Sequence, residues 1–180
     1  MTEHLQKIGY KVAICGRRKK EGEEKAAALD PTGESIIFIQ ADVGNYQSQA
    51  NLFKAVWEKW SRIDVLVANA GFIDQGSVYN FGSREAAIDD LPAEPNLSAT
   101  EVNWKGTIYG TVLAIHFMRH NPTKGGKIIA TGSTLGIYGT ATFPEYSGTK
   151  AAVHLFVKTI GPILKLKENI TVNGKELLKP

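Results

Sequence analysis

A tyrosine and a lysine stand four residues apart in the stretch EYSGTK, as Tyr146 and Lys150. On a helix this spacing places both side chains on one face, one turn apart. A free tyrosine ionises near about pH 10, and a neighbouring ammonium favours the phenolate form. A tyrosine activated in this way can give or take a proton near neutral pH. The alternative is an ordinary solvated helix face, so the choice depends on which other residues join the pair.

Ser133 and Asn103 are two further polar candidates, both upstream of the pair. Ser133 ends the stretch GKIIATGS, which is apolar enough to be a strand. A serine at the end of a strand can bind a substrate oxygen at the edge of a sheet. Asn103 lies further upstream, on a predicted long helix, where it is equally compatible with an amide at the edge of the core.

Short apolar runs alternate with helix-like segments along the chain. Strands are predicted over residues 10–15, 35–40, 64–71, 126–133 and 170–173, and helices over 17–30, 45–60, 98–120 and 145–166. A polar, irregular segment lies at 72–95. The alternation predicts an α/β fold, a doubly wound parallel sheet of Rossmann type in one domain over residues 1–180. In such folds ligands bind at the carboxyl ends of the strands, where the candidate residues lie.

Composition narrows the function classes. The net charge is +3 and the basic residues are scattered, which argues against a nucleic-acid-binding protein. No apolar run approaches the roughly 18 residues that span a bilayer, and the first residues are not typical of a signal peptide. With Cys15 as the single cysteine, a reducing compartment is favoured, and we expect a cytoplasmic location. His116 and His120 have the spacing of two metal ligands, but no third ligand is evident, so no metal is expected.

Five sequence features occur in one order along the chain: ADV at 41–43, NAG at 69–71, Asn103 in NWKG, Ser133, and Tyr146 with Lys150. In this combination the chain resembles the short-chain dehydrogenase/reductase family over about residues 1–173. The stretch FIQADV is similar to the branch of 15-hydroxyprostaglandin dehydrogenase. A lone Y-x-x-x-K motif is weak evidence for this family, because chance matches are common. Five features in the same order are specific evidence.

The resemblance implies a role for each catalytic candidate. Tyr146 would be the general acid or base, and Lys150 would activate it and hold the nicotinamide ribose. Ser133 would bind the substrate carbonyl or hydroxyl, and Asn103 would support a water in a proton relay. The implied reaction is NAD(P)-dependent interconversion of a secondary alcohol and a ketone, with a small-molecule substrate that the sequence does not identify.

The resemblance also implies cofactor-binding positions. Asp42 and Val43 would border the adenine, while Asn69, Ala70 and Gly71 would line the cofactor at the sheet edge. Taken singly, Asp42 is also compatible with a helix cap and Asn69 with a turn.

Arg17 and Arg18 follow the first predicted strand, where family members that prefer NAD usually carry an acidic residue. A guanidinium pairs well with a 2′-phosphate, so we expect NADP, with NAD as the alternative. A solvated, basic helix start would also explain the two arginines.

The family begins with a strand and a T-G-x-x-x-G-x-G turn that binds the pyrophosphate at a helix N-terminus. This sequence contains neither that motif nor the proline-glycine segment usual after the sixth strand. We therefore expect a chain that lacks the first strand and the glycine-rich turn, with a gap in the sheet and weak dinucleotide binding. The rival hypothesis to an enzyme is a non-catalytic remnant that at most binds or dimerises.

Self-association is expected through the two longest helices, because each carries apolar residues on more than one face. The residues in question are Ile108, Val112, Ile115, Val153, Phe156 and Val157. In the family these helices commonly form the interface of a homodimer or homotetramer.

Overall fold

A computed structural model of the chain describes residues 1–175, so residues 176–180 of the predicted domain lie outside the described residues. The strands are β1 (Val12–Gly16), β2 (Ile36–Gln40), β3 (Val65–Ala68), β4 (Gly126–Thr131) and β5 (Ile170–Lys175). The helices are α1 (Thr2–Lys7), α2 (Lys19–Leu29), α3 (Tyr46–Trp60), α4 (Ser98–Thr100), α5 (Gly106–Met118), α6 (Leu135–Tyr138) and α7 (Pro144–Glu168). A 3₁₀ turn lies at Phe81–Ser83 and a π-helical turn at Glu101–Lys105.

The strands are all parallel, but they form two sheets. β1 pairs with β2, and β3, β4 and β5 form a second sheet in that order. Parallel strands with helices between them confirm the predicted α/β fold of Rossmann type. Within residues 1–175 no strand joins β1 to β3, which is where the sequence predicts a gap. That the chain lacks a family strand stays a prediction.

Two strands end earlier than the sequence predicts, and this shapes the site. The ladder between β3 and β4 ends at the pair Ala68 and Ala130, so the NAG segment at 69–71 follows β3 as a loop. β4 ends at Thr131, which leaves Ser133 in the next turn. Glycine and asparagine are poor strand formers, which explains both boundaries.

The predicted helix over 98–120 is divided into α4, the π-helical turn and α5, which follow one another without a break. The backbone widens at Glu101–Lys105, and Asn103 lies in the middle of that turn. Gly106 then allows α5 to approach the loop after β2, because an added Cβ would lie 2.9 Å from the Val43 carbonyl oxygen. Such π turns are frequent at functional sites.

The core lies between the β3–β4–β5 sheet and the helices that cover it. Its members are Phe53, Ile63, Leu113, Ala114, Met118, Ile128 and Ile170. Trp57 packs against this core through Phe117, at 5.5 Å between ring centroids. A smaller cluster joins Val153 and Val157 of α7 to Ala130 of β4. α7 is therefore fixed against the carboxyl half of β4, where the candidate residues lie.

Candidate active site

Lys150 is the most buried charged group of the site. It lies one turn after Tyr146 on α7, and its Nζ is 5.6 Å from the centroid of the Tyr146 ring. The residue is 4% exposed, and its Nζ donates a hydrogen bond of 2.7 Å to the Thr131 carbonyl oxygen. Burial lowers the pKa of the Lys150 ammonium from its ordinary value. The predicted pairing with Tyr146 on one helix face is thus present, with the lysine on its buried side.

Gly71 brings the loop after β3 against this lysine. A Cβ added to Gly71 would lie 2.9 Å from Asn103 Oδ1 and 3.3 Å from Lys150 Nζ. A side chain at this position would therefore overlap Asn103 and crowd the ammonium. Glycine allows the loop after β3 to pack directly against both side chains. Gly71, Asn103 and Lys150 thus meet at one point.

Asn103 is buried, at 1% exposure, and its amide holds two elements together. Its Oδ1 accepts from the Phe72 backbone N–H at 3.0 Å, and its Nδ2 donates to the Phe72 carbonyl oxygen at 2.9 Å. Nδ2 also lies 3.1 Å from the Thr149 hydroxyl of α7. The side chain therefore joins the loop after β3 to α7. Its implied role in a water relay stays a prediction.

Ser133 is buried in the turn after β4, and its Oγ accepts from the Leu135 backbone N–H at 3.2 Å. His154 Nε2 lies 2.9 Å from the Ser133 carbonyl oxygen and 3.3 Å from its backbone nitrogen. A Cβ at Gly132 would overlap the His154 ring, so the glycine makes this contact possible. His154 lies on α7 one turn beyond Lys150. The same helix therefore positions the side chains of Tyr146, Lys150 and His154.

The loops after β2 and β3 are held by their own hydrogen bonds. Asn69 Oδ1 accepts from the Thr131 hydroxyl at 3.1 Å, which joins the ends of β3 and β4, and Ala70 is exposed beside it. Asp42 Oδ1 accepts from the Gly44 backbone N–H at 2.9 Å. The side-chain cap of α3 is Asn45, which accepts from the Ser48 backbone N–H. Asp42 therefore stabilises a turn and does not cap that helix.

Arg17 and Arg18 are exposed at the carboxyl end of β1. The Arg17 carbonyl oxygen accepts from Gln40 Nε2 at 2.9 Å, which fixes the backbone at this point. Within residues 1–175 neither guanidinium is in an ion pair, and no hydrogen bond links either arginine to the residues around Lys150. They follow β1, which belongs to the other sheet.

The model of the short chain dehydrogenase family matches residues 1–176. The chain belongs to the short-chain dehydrogenase/reductase family. It is 48% identical over 173 residues to the short-chain dehydrogenase/reductase prx6 of Penicillium rubens, covering 96% of this chain and 57% of that protein. The resemblance inferred from the sequence is thereby confirmed.

Two more distant relatives carry different cofactors in their names. The NADP-dependent (R)-specific alcohol dehydrogenase of Lentilactobacillus kefiri is 30% identical, over 92% of this chain and 61% of its own length. The 15-hydroxyprostaglandin dehydrogenase [NAD(+)] of Rattus norvegicus is 29% identical, over 96% and 59%. The chain thus spans about three fifths of the length of these three relatives.

Three contacts at the candidate site of this chain were not predicted from the sequence. His154 follows Tyr146 by two helical turns, so its place on the same helix face as Tyr146 and Lys150 could have been inferred from the spacing. The Thr131 carbonyl that binds Lys150 is a backbone group, which no sequence pattern marks. Asp74, which binds the start of α7, lies in the segment that the sequence shows only as polar and irregular.

Within residues 1–175, no helix is both long enough and apolar enough to cross a membrane.

Proposed function

We propose that this chain carries the catalytic half of an NADP-linked oxidoreductase that interconverts a secondary alcohol and a ketone. The observation that supports the proposal is the meeting of Lys150, Gly71 and Asn103 beside Tyr146. A buried ammonium one helical turn from a phenol, with the loop after β3 packed against it, is an arrangement suited to proton transfer. Family membership favours the same chemistry.

The residues present fit a nicotinamide dinucleotide. Gly71 brings the loop after β3 beside Lys150, whose ammonium has three donors and uses one of them on Thr131. Lys150 would hold the nicotinamide ribose, while Asn69, Ala70 and Gly71 would line the cofactor. When bound, the nicotinamide supplies the acceptor or donor of the hydride.

Tyr146 and Lys150 perform the proton transfer in this proposal. In the direction of oxidation, the Tyr146 oxygen takes the proton of the substrate hydroxyl, and in reduction it returns one to the ketone oxygen. The Lys150 ammonium stabilises the negative charge on that oxygen while the proton is away. Ser133 donates a hydrogen bond to the substrate oxygen, and His154 fixes the backbone that carries Ser133.

The preference for NADP is supported by Arg17 and Arg18, which are exposed and free of carboxylate partners in the described part of the chain. A 2′-phosphate at the carboxyl end of β1 would pair with them. Asp42 and Val43, at the end of the neighbouring strand β2, would border the adenine.

The test is Tyr146→Phe, which removes one hydroxyl and keeps the ring. We expect turnover of secondary alcohols or ketones with NADP(H) to fall to background while the melting temperature is unchanged. Tyr138→Phe is the matched control, because Tyr138 is 85% exposed on α6. Turnover at the wild-type level in Tyr146→Phe would refute the mechanism.

A second candidate is a binding or self-association module without turnover. It is supported by the division of the strands into two sheets, which leaves one edge of β1 and one edge of β3 without a strand partner in residues 1–175. Titration of the purified chain with NADP separates the two candidates. Micromolar binding supports the enzyme, whereas binding that strengthens only when a strand and glycine-rich turn are added before Met1 supports the module.

The partners that we propose are a small alcohol or ketone and a second copy of the chain. Val153 and Val157, counted among the residues that drive self-association, are instead buried against Ala130. On the outer side of the helices, Val112 is 52% and Leu155 67% exposed, and these apolar side chains suit a homodimer or homotetramer. The cytoplasmic location and the single domain stay predictions.

A further inference from the structure

The first turn of α7, which carries Tyr146, has no cap of its own. Phe143 precedes the helix and has no side-chain acceptor, and Pro144 at the first helical position has no N–H. The Ser147 N–H already donates to the Phe143 carbonyl oxygen at 3.0 Å. The backbone N–H groups of Glu145 and Tyr146 therefore need acceptors from outside the helix.

Asp74 supplies both acceptors from a distant part of the chain. Its Oδ1 accepts from the Tyr146 N–H at 2.7 Å, and its Oδ2 accepts from the Glu145 N–H at 3.0 Å. A carboxylate at a helix N-terminus is also favoured by the helix dipole. Asp74 lies three residues after Gly71, so this contact joins the loop that lines the cofactor space to the helix that carries the proton donor.

The contact closes a ring around the backbone of Tyr146. Its N–H is held by Asp74, and its carbonyl oxygen accepts from the Thr149 hydroxyl at 2.8 Å. Thr149 is bound by Asn103, which in turn holds both backbone groups of Phe72, two residues before Asp74. Removing Asp74 would leave the ring open on one side and Tyr146 held from the other side only.

From this geometry we propose that Asp74 is a positioning residue for Tyr146. It sets the distance between the phenol and the loop at Gly71, and so the place of the phenol relative to the substrate oxygen. The proposal rests on the proposed function for its effect on turnover, but the ring of hydrogen bonds can be tested separately. Asp74 itself does not touch the reacting atoms.

The main test variant is Asp74→Asn, which keeps the shape of the side chain and places an NH₂ group against one of the two helix N–H donors. We expect kcat to fall by about tenfold to a hundredfold with little change in KM, since small displacements of a catalytic group have effects of this size. Asp89→Asn is the matched control, because Asp89 is an exposed carboxylate of the same segment. Equal kcat in Asp74→Asn and wild type would overturn the proposal.

Two further variants separate positioning from mere helix capping. Asp74→Glu keeps the charge and an acceptor but lengthens the side chain, and we expect a reduced kcat at nearly unchanged melting temperature. Phe143→Ser, added to Asp74→Asn, supplies an N-cap within α7 itself. We expect it to restore the melting temperature but not kcat. Full recovery of kcat in that double variant would overturn the proposal.

A readout that does not depend on turnover uses NMR of the wild type and Asp74→Asn. We expect the Tyr146 ¹³Cζ resonance, assigned with Tyr146→Phe, and the amide resonance of Gly71 to shift. Hydrogen exchange of the Glu145 and Tyr146 amides should become at least tenfold faster. If the wild type shows no turnover, the proposed function fails for this chain while these signals still decide the role of Asp74. Unchanged resonances and exchange rates would refute it.

Discussion

Replacing Lys150 by methionine tests the electrostatic part of the site. Methionine has a similar length and keeps the packing, but it removes the ammonium beside Tyr146. Taking the 5.6 Å to the ring centroid as the charge separation, the attraction between an ammonium and a phenolate is about 3 kcal/mol at an effective dielectric constant near 20. Loss of this interaction corresponds to a fall in kcat of roughly a hundredfold.

The same substitution has a predicted effect on stability that depends on pH. Burial lowers the pKa of Lys150 below its unfolded value of about 10.4. Between these two pKa values the native state binds fewer protons than the unfolded state, so stability rises with pH. The wild type should therefore gain stability relative to Lys150→Met as the pH is raised through the lowered pKa of Lys150 towards about 10.4.

The assays are steady-state kinetics with NADP(H) and urea unfolding at several pH values. Lys158→Met is the control, because Lys158 is exposed on the same helix. Lys150→Met should lower kcat no further in a Tyr146→Phe background, since the two residues act as one unit in proton transfer. An unchanged kcat, or a stability difference that is the same at all pH values, would refute the reasoning.

Three further predictions concern other parts of the chain. In the double variant Arg17→Ala, Arg18→Ala, the dissociation constant for NADP should rise by tenfold or more while that for NAD stays constant. Calorimetry measures both constants. Tighter binding of NAD than of NADP by the wild type would contradict this prediction. Asp30→Asn should lower stability above about pH 4. Hydrogen bonds, first of all that from the Thr32 hydroxyl, hold the pKa of the Asp30 carboxyl well below its usual range. The stability advantage of the wild type should therefore vanish as the pH falls through that lowered pKa. Urea unfolding at several pH values measures this. Leu155→Glu should convert a self-associating chain to a monomer in analytical ultracentrifugation, and a wild type that is monomeric at micromolar concentration would refute the interface.

The sequence by itself determined those features that depend on local spacing. Parallel strands with intervening helices follow from short apolar runs that alternate with amphipathic segments. The pairing of Tyr146 with Lys150 follows from the helical repeat, because residues four apart lie on one face in any α-helix. The end of an apolar run placed Ser133 near the carboxyl end of a strand, although β4 ends two residues before it, at Thr131. Each inference needed only a few neighbouring residues.

Only the tertiary structure decided how those features are joined. Thr131 binds Lys150 through a backbone carbonyl, a group that every residue has and no sequence pattern marks. Asp74 and Tyr146 are 72 positions apart, and Asn103 and Phe72 are 31 apart. Contacts of that range depend on how β3, β4 and α7 pack, and the hydrophobic effect that drives this packing is non-directional. The candidate residues could therefore be found from local spacing, whereas the contacts that join them depend on the packing of distant segments.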